Sequence, residues 1–233
     1  MAVEPVIVHP WDVSTDDAKK IQRELRQHVT IEPLDEQPDV VAGVDVSVKN
    51  EQARSAVVLL SFPDLQPLQA RTAEEAARFP YVPGLLAFRE GPVVLAALEK
   101  LTRRPDVVIC DAHGLAHPRR MGLATHLGVV LDLPSVGCAK SRLCGECAEP
   151  DPKKGSWTQL RDGDEVIGAV VRTRNNVSPV FVSVGHRVDL ETAVSLVLDC
   201  APTYRLPETT RWAHRVAGGG SLPGADETGS SDR

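Results

Sequence analysis

Residues 106–143 read DVVICDAHGLAHPRRMGLATHLGVVLDLPSVGCAKSRL. Asp111 closes an apolar run, His113 and His117 follow it at once, and Lys140, Ser141 and Arg142 close the next apolar run. Carboxylate oxygens can hold a hard divalent cation, while an ammonium or guanidinium group holds an anion. The set therefore suits an anionic substrate handled with a divalent metal. Each member also has an ordinary reading. A strand-ending Asp is often a helix cap, a loop His is often only hydrogen-bonded, and a Lys or Arg after a strand is usually solvated. What favours chemistry is that one short stretch places all of these charges together.

Two strands and a helix must position them. Residues 106–110 fit a strand buried on both faces, as in the parallel part of an α/β sheet. Pro118 can take the first turn of a helix in which Met121, Leu123, Ala124, Leu127, Gly128 and Leu131 recur at helical spacing. Residues 135–139 form a second strand. The right-handed crossover of β-α-β units predicts that it runs parallel to the first, so that Asp111 and Lys140 share one edge.

Upstream, residues 39–49 read as a strand in which Val44, Val46 and Val48 alternate with Asp45 and Ser47. Burying Asp45 unpaired among valines would be costly, so it should face a metal, a partner or water. Residues 53–62 and 65–73 complete an antiparallel three-strand meander. Arg78-Phe-Pro80-Tyr81-Val82-Pro83-Gly84 is a proline-stiffened loop able to hold a tyrosine outward. A helix begins near Leu85, restarts at Gly91-Pro92 and continues to about Leu101, with Glu90 at the junction.

The flanks are simpler. Residues 1–13 are irregular. A helix capped by Ser14 runs to about Val29, with Ala18, Ile21, Leu25 and Val29 as its apolar stripe. A polar loop at 151–156 precedes a hairpin around Asp162-Gly163-Asp164, a strand at 180–184, a helix capped by Asp189 and a last helix from Pro207. Residues 1–216 read as one domain and 217–233 as a disordered Gly/Ser/acidic tail. The fold class is α/β, with a mixed sheet of meander and parallel strands flanked by helices.

Composition narrows the options. The 233 residues include 42% hydrophobic but only 4% aromatic residues, so aliphatic side chains must fill the core. A net charge of −6 argues against a global electrostatic grip on nucleic acid, although a local basic cluster or bound metal can reverse the sign at a site. There is neither a signal-peptide pattern nor a long apolar span, which predicts a cytoplasmic protein with no membrane partner. Cys110, Cys138 and Cys200 lie in apolar runs and read as buried thiols. Cys144-Gly-Glu-Cys147 has zinc or redox spacing but no second such pair.

The ordered motifs resemble the endonuclease V family, repair nucleases for deaminated purines with a ribonuclease H-like core. The matching segments are Val-Ala-Gly-Val-Asp45, Pro80 through Gly84, Phe88-Arg89-Glu90, 111–122, 137–143, 172–176, 184–186 and 207–214. The resemblance covers about residues 15–215. It implies that Asp45 and Asp111 bind Mg²⁺ (with Mn²⁺ able to substitute), that Glu90 completes the acidic centre, and that His214 sits beside it. Lys140 would hold the scissile phosphate. Tyr81, within Pro80-Tyr81-Val82-Pro83, would fill the base stack when the lesion leaves it, and Gly84, Leu86, His117 and Gly122 would form the base pocket. The implied reaction hydrolyses the second phosphodiester bond 3′ of deoxyinosine in DNA, with inosine-containing RNA as the alternative substrate or a non-catalytic lesion-binding scaffold as the alternative role. The protein is expected to act as a monomer. Three residues depart from the family pattern: Val82 in place of isoleucine, Ala112 in place of glycine and Cys138 in place of valine. Arg119, Arg120, Lys140, Arg142, Lys153, Lys154, Arg172 and Arg174 could supply a local cationic track.

Overall fold

The computed structural model describes residues 3–224. β1 (Val40–Lys49), β2 (Gln52–Ser61) and β3 (Pro67–Ala76) form the expected antiparallel meander. β4 (Val107–Cys110) and β5 (Ser135–Ala139) extend the sheet parallel to β1. β6 (Trp157–Asp162), β7 (Glu165–Val171) and β8 (Val180–His186) continue it antiparallel, giving one mixed sheet in the order β3-β2-β1-β4-β5-β8-β7-β6. The helices are α1 (Thr15–Leu25), α2 (Leu86–Leu98), α3 (Leu123–Leu131), α4 (Leu190–Asp199) and α5 (Glu208–Ala217).

Strand alternation divides the core in two. Val40, Ala42 and Val44 of β1 point into a cluster shared with α2 and α3. Val41, one step out of phase, joins a cluster on the opposite face with residues of α4 and α5. Every residue of β4 is buried, which accounts for its unbroken apolar sequence. Gly43 lies on the α5 face, where a Cβ would stand 2.0 Å from the Thr209 carbonyl oxygen. The helix can approach β1 so closely only over a residue without a side chain.

Three local expectations need correction. First, α2 does not restart at Gly91-Pro92 but passes through both. Proline there removes one backbone bond, and Gly91 leaves room for Trp11, whose ring would be 2.7 Å from a Cβ. Second, α3 starts at Leu123 rather than near Pro118. The His117 carbonyl accepts from the Arg120 N–H in a tight turn, and the His117 ring accepts from the N–H groups of Arg119 and Met121, so those donors serve no helix. The N-terminal residues are irregular, as expected, and dock as an arm. Val3 is buried, the Val6 N–H donates to the Val130 carbonyl at 2.8 Å, and Trp11 stacks on His126 with ring centroids 5.0 Å apart. Third, the expected disordered tail does not start at residue 217: Ala217 closes α5, and Leu222 is buried in the α4–α5 core. Residues 225–233 of the expected tail lie outside the described residues. Among those described, no helix is long and apolar enough to cross a membrane.

Candidate active site

Asp45 follows Val41 and Gly43 on the face of β1 that meets α5, and α5 answers it with His214. His214 Nδ1 lies 2.9 Å from Asp45 Oδ2, and the carboxylate is only 13% exposed against 72% for the imidazole. Burial raises the Asp45 pKa, an effect the His214 hydrogen bond opposes and the nearby Asp111 charge adds to. Asp111, at the end of β4, is 8% exposed and ion-pairs with Lys140 from the end of β5. The parallel pairing of β4 and β5 puts the two groups on one edge, as predicted. Glu90 projects from α2, and burial together with the charges of Asp45 and Asp111 pushes its pKa up to about 8. Asp45, Glu90, Asp111 and Lys140 line one cavity of about 220 Å³. Clustered carboxylates with surplus negative charge are a donor set that fits a hard, oxygen-binding cation. Among the described residues no group of three or more His, Cys, Asp or Glu side chains is arranged to hold a metal ion.

A second cavity of about 340 Å³ adjoins the first, and Leu86, Asp111, Leu123 and Lys140 line both. Its volume is in the range of about 300–1,000 Å³ typical of small-ligand pockets. Tyr81 stands at this cavity 71% exposed, carried on the loop with Pro80 and Pro83 exposed on either side of it. Val82 turns inward against the cluster of Phe79, Leu85 and Phe88. Gly84 has φ +79°, a left-handed conformation natural to glycine. Gly122 precedes α3 where a Cβ would be 2.2 Å from the His113 carbonyl oxygen. His117 also lines this cavity, with both ring nitrogens engaged. Nδ1 accepts from the Arg119 and Met121 N–H groups, and Nε2 contacts the Gly84 carbonyl at 2.9 Å. Burial pushes its pKa down to about 4, so the ring is neutral near pH 7.

The three departures are accommodated locally. Ala112 lines the second cavity, Cys138 is buried in the core, and Val82 packs as described. Cys144 and Cys147 rest against Leu160, Ile167 and Val170. The expected cationic track is thinner than supposed. Arg172 is buried and bonded to Glu149 and to the carbonyls of Pro150, Asp151 and Val177. Arg120 pairs with Asp162 and Glu165, and Lys154 donates to the carbonyls of Ala201 and Pro202. Lys140, Arg142, Lys153 and Arg174 are exposed. Sequence reasoning missed Gln22, which is 1% exposed and reaches the wall of the second cavity from α1. Its position between Ala18 and Leu25 on the apolar stripe was the available signal.

One carboxylate on β1 just past its pairing with β4, and another just past the end of β4, on a mixed sheet that begins with an antiparallel meander, have the layout of a ribonuclease H-like fold. Residues 23–215 match the family model for endonuclease V. The chain belongs to the endonuclease V family, which makes it a nuclease of DNA repair. It is 50% identical over 221 residues to the endonuclease V of Roseiflexus castenholzii, covering 95% of this chain and all of that one. The crystal structure of endonuclease V from Streptomyces avermitilis superposes with a TM-score of 0.86 at 42% identity, covering 94% and 96% of the two chains. That of Ciona intestinalis, in complex with a 23mer DNA containing an inosine followed by a ribo-adenosine, superposes with a TM-score of 0.75 at 27% identity, covering 89% and 98%.

Proposed function

We propose that this nuclease cuts DNA at deoxyinosine, hydrolysing the second phosphodiester bond 3′ of the lesion and leaving 3′-hydroxyl and 5′-phosphate ends. The observation that carries the reading is the shared wall between the two cavities. A base-sized pocket beneath an exposed tyrosine opens directly onto a cluster of three carboxylates and a lysine. A base extruded into the first would bring its own backbone to the second. The inosine in the Ciona intestinalis complex supports hypoxanthine as that base.

Each residue then has a task. Tyr81 fills the gap left in the stack, and extrusion costs least where the base is mispaired, which favours inosine over a Watson–Crick pair. Gly84 and Gly122 let backbone approach the flipped base, with Leu86 and His117 closing the pocket. Lys140, ion-paired to Asp111, can swing to a phosphate oxygen as a point charge. Asp45, Asp111 and Glu90 would hold Mg²⁺, or Mn²⁺ in its place, which when bound supplies Lewis-acid charge at the phosphate and lowers the pKa of attacking water. His214 orients Asp45 through the 2.9 Å bond and stands exposed beside it, where it can hold water by hydrogen bond.

The test is a nicking assay on a duplex carrying one deoxyinosine, with Mg²⁺ or EDTA. A nick one nucleotide beyond the inosine is expected, lost in EDTA and reduced at least about a hundredfold by Asp45→Asn or Asp111→Asn. Full activity in both variants would remove the carboxylates from the mechanism. The ribo-adenosine that follows inosine in the Ciona intestinalis complex supports inosine-containing RNA as the second reading. Matched DNA and RNA strands separate the two, since the 2′-hydroxyl is the main chemical difference at the site.

A further inference from the structure

The Gly84 carbonyl, one residue beyond the Pro80–Pro83 loop, receives three side-chain donors. Arg119 Nη2 approaches at 2.7 Å, His117 Nε2 at 2.9 Å and Gln22 Nε2 at 3.0 Å. Because His117 Nδ1 accepts from two backbone N–H groups, Nε2 carries the ring proton and donates. Gln22 ties the group together. Its Nε2 also donates to the Met121 carbonyl at 3.0 Å, and its Oε1 accepts from Arg119 Nε at 2.5 Å. One amide from α1 thus connects the end of the tyrosine loop, the turn before α3 and the guanidinium that lies between them.

A fully buried glutamine on the apolar stripe of α1 is a poor choice for packing alone, because an aliphatic side chain there would cost no desolvation. The three donors also saturate a carbonyl that has two lone pairs, so this oxygen is closed to a base in the pocket.

We propose that Gln22 is a positioning residue for lesion recognition: it locks the Tyr81 loop against the pocket by organising the donors on the Gly84 carbonyl. The loop is then set before DNA arrives, and the gain appears as tighter capture of the extruded base rather than as a faster cut. This rests on the deoxyinosine reading above. Gln22 lines the pocket wall with its amide spent on Gly84, Met121 and Arg119, and it acts through those three.

Two variants test it in the full chain. Gln22→Met keeps the length and removes both polar functions, whereas Gln22→Glu keeps the acceptor facing Arg119 and removes the donor to Gly84 and Met121. The first readout is amide hydrogen exchange over residues 80–86 in the protein without DNA, where both variants should exchange faster while β1 and β4 remain protected. The second is steady-state nicking of an inosine duplex, where KM should rise about tenfold, the worth of one well-made hydrogen bond, with kcat within about twofold. Unchanged exchange in the loop, or a fall in kcat at constant KM, would overturn the proposal. So would faster exchange spread over the whole sheet, which marks a merely loosened fold. If the wild type fails to nick inosine DNA while the loop exchange still responds to Gln22, the substrate reading falls and the clamp stands.

Discussion

At the scale of single residues, the site works by keeping acids where water would not keep them charged. Glu90 shows the cost, its pKa pushed up to about 8 by burial and by the charges of Asp45 and Asp111. A carboxyl whose folded pKa exceeds its unfolded value adds stability that is complete below about 4.5 and lost as pH rises through 8. In protein stripped of divalent cations, Glu90→Gln should therefore melt a few degrees above wild type at pH 8.5 and close to it at pH 5, and with Mg²⁺ restored it should nick far more slowly than wild type. Adding Mg²⁺ should narrow the gap at pH 8.5, because a cation neutralises the same charge. Differential scanning calorimetry across that range decides it, and a gap independent of pH would mean that Glu90 carries no proton in the folded protein. The acids differ in how visible they were in the sequence. Asp45 and Asp111 betray themselves, since a carboxylate among valines or at the end of a buried strand needs a reason. Glu90 on a helix does not, and His214 is 169 residues from its partner, a pairing made only by the packing of α5 on β1. Gln22 hid in the same way: its three partners, Gly84, Met121 and Arg119, are all distant in the chain.

At the scale of elements, the active site depends on how closely α5 can approach β1, and Gly43 sets that distance. The parallel core was legible because β4 and β5 are short apolar runs ended by charge, and the crossover rule leaves one arrangement for them. The start of α3 was not legible, because the His117 ring captures backbone donors that periodicity assigns to the helix. Nor was the N-terminal arm, whose partners Val130, His126 and Phe88 come from α2 and α3. Gly43→Ala probes the element scale directly. A Cβ 2.0 Å from the Thr209 carbonyl cannot be relieved by a rotamer change and must move α5 as a body. Overpacking of that kind costs about 3 kcal/mol, or about 6–12 °C in melting temperature for a chain of this size. Activity should fall further than the unfolded fraction explains, since His214 moves with the helix and releases Asp45. Wild-type melting and wild-type nicking together would show that α5 does not bear on Gly43.

At the scale of the whole molecule, a chain of net charge −6 has to hold a polyanion. Its cations are divided between two uses that sequence cannot separate, because arginine looks the same whether it builds the fold or meets phosphate. Arg172 is 7% exposed and satisfies three carbonyls and Glu149, so it is part of the fold. Arg142 is exposed on the wall of the base-sized cavity, beside Lys140, and is available to the backbone of bound DNA. Salt dependence distinguishes them. Each phosphate neutralised contributes about 0.9 to the slope of log affinity against log salt, so Arg142→Ala should flatten the slope by about 0.9 while leaving the melting temperature unchanged. Arg172→Ala should leave the slope alone and lower the melting temperature by several degrees, because each orphaned buried acceptor costs about 1–3 kcal/mol. Binding to an inosine duplex in the Asp111→Asn background, measured from about 50 to 200 mM salt, gives both slopes without cleavage. If the two variants exchanged these effects, the division between structural and DNA-facing cations would be the reverse of the one the packing implies.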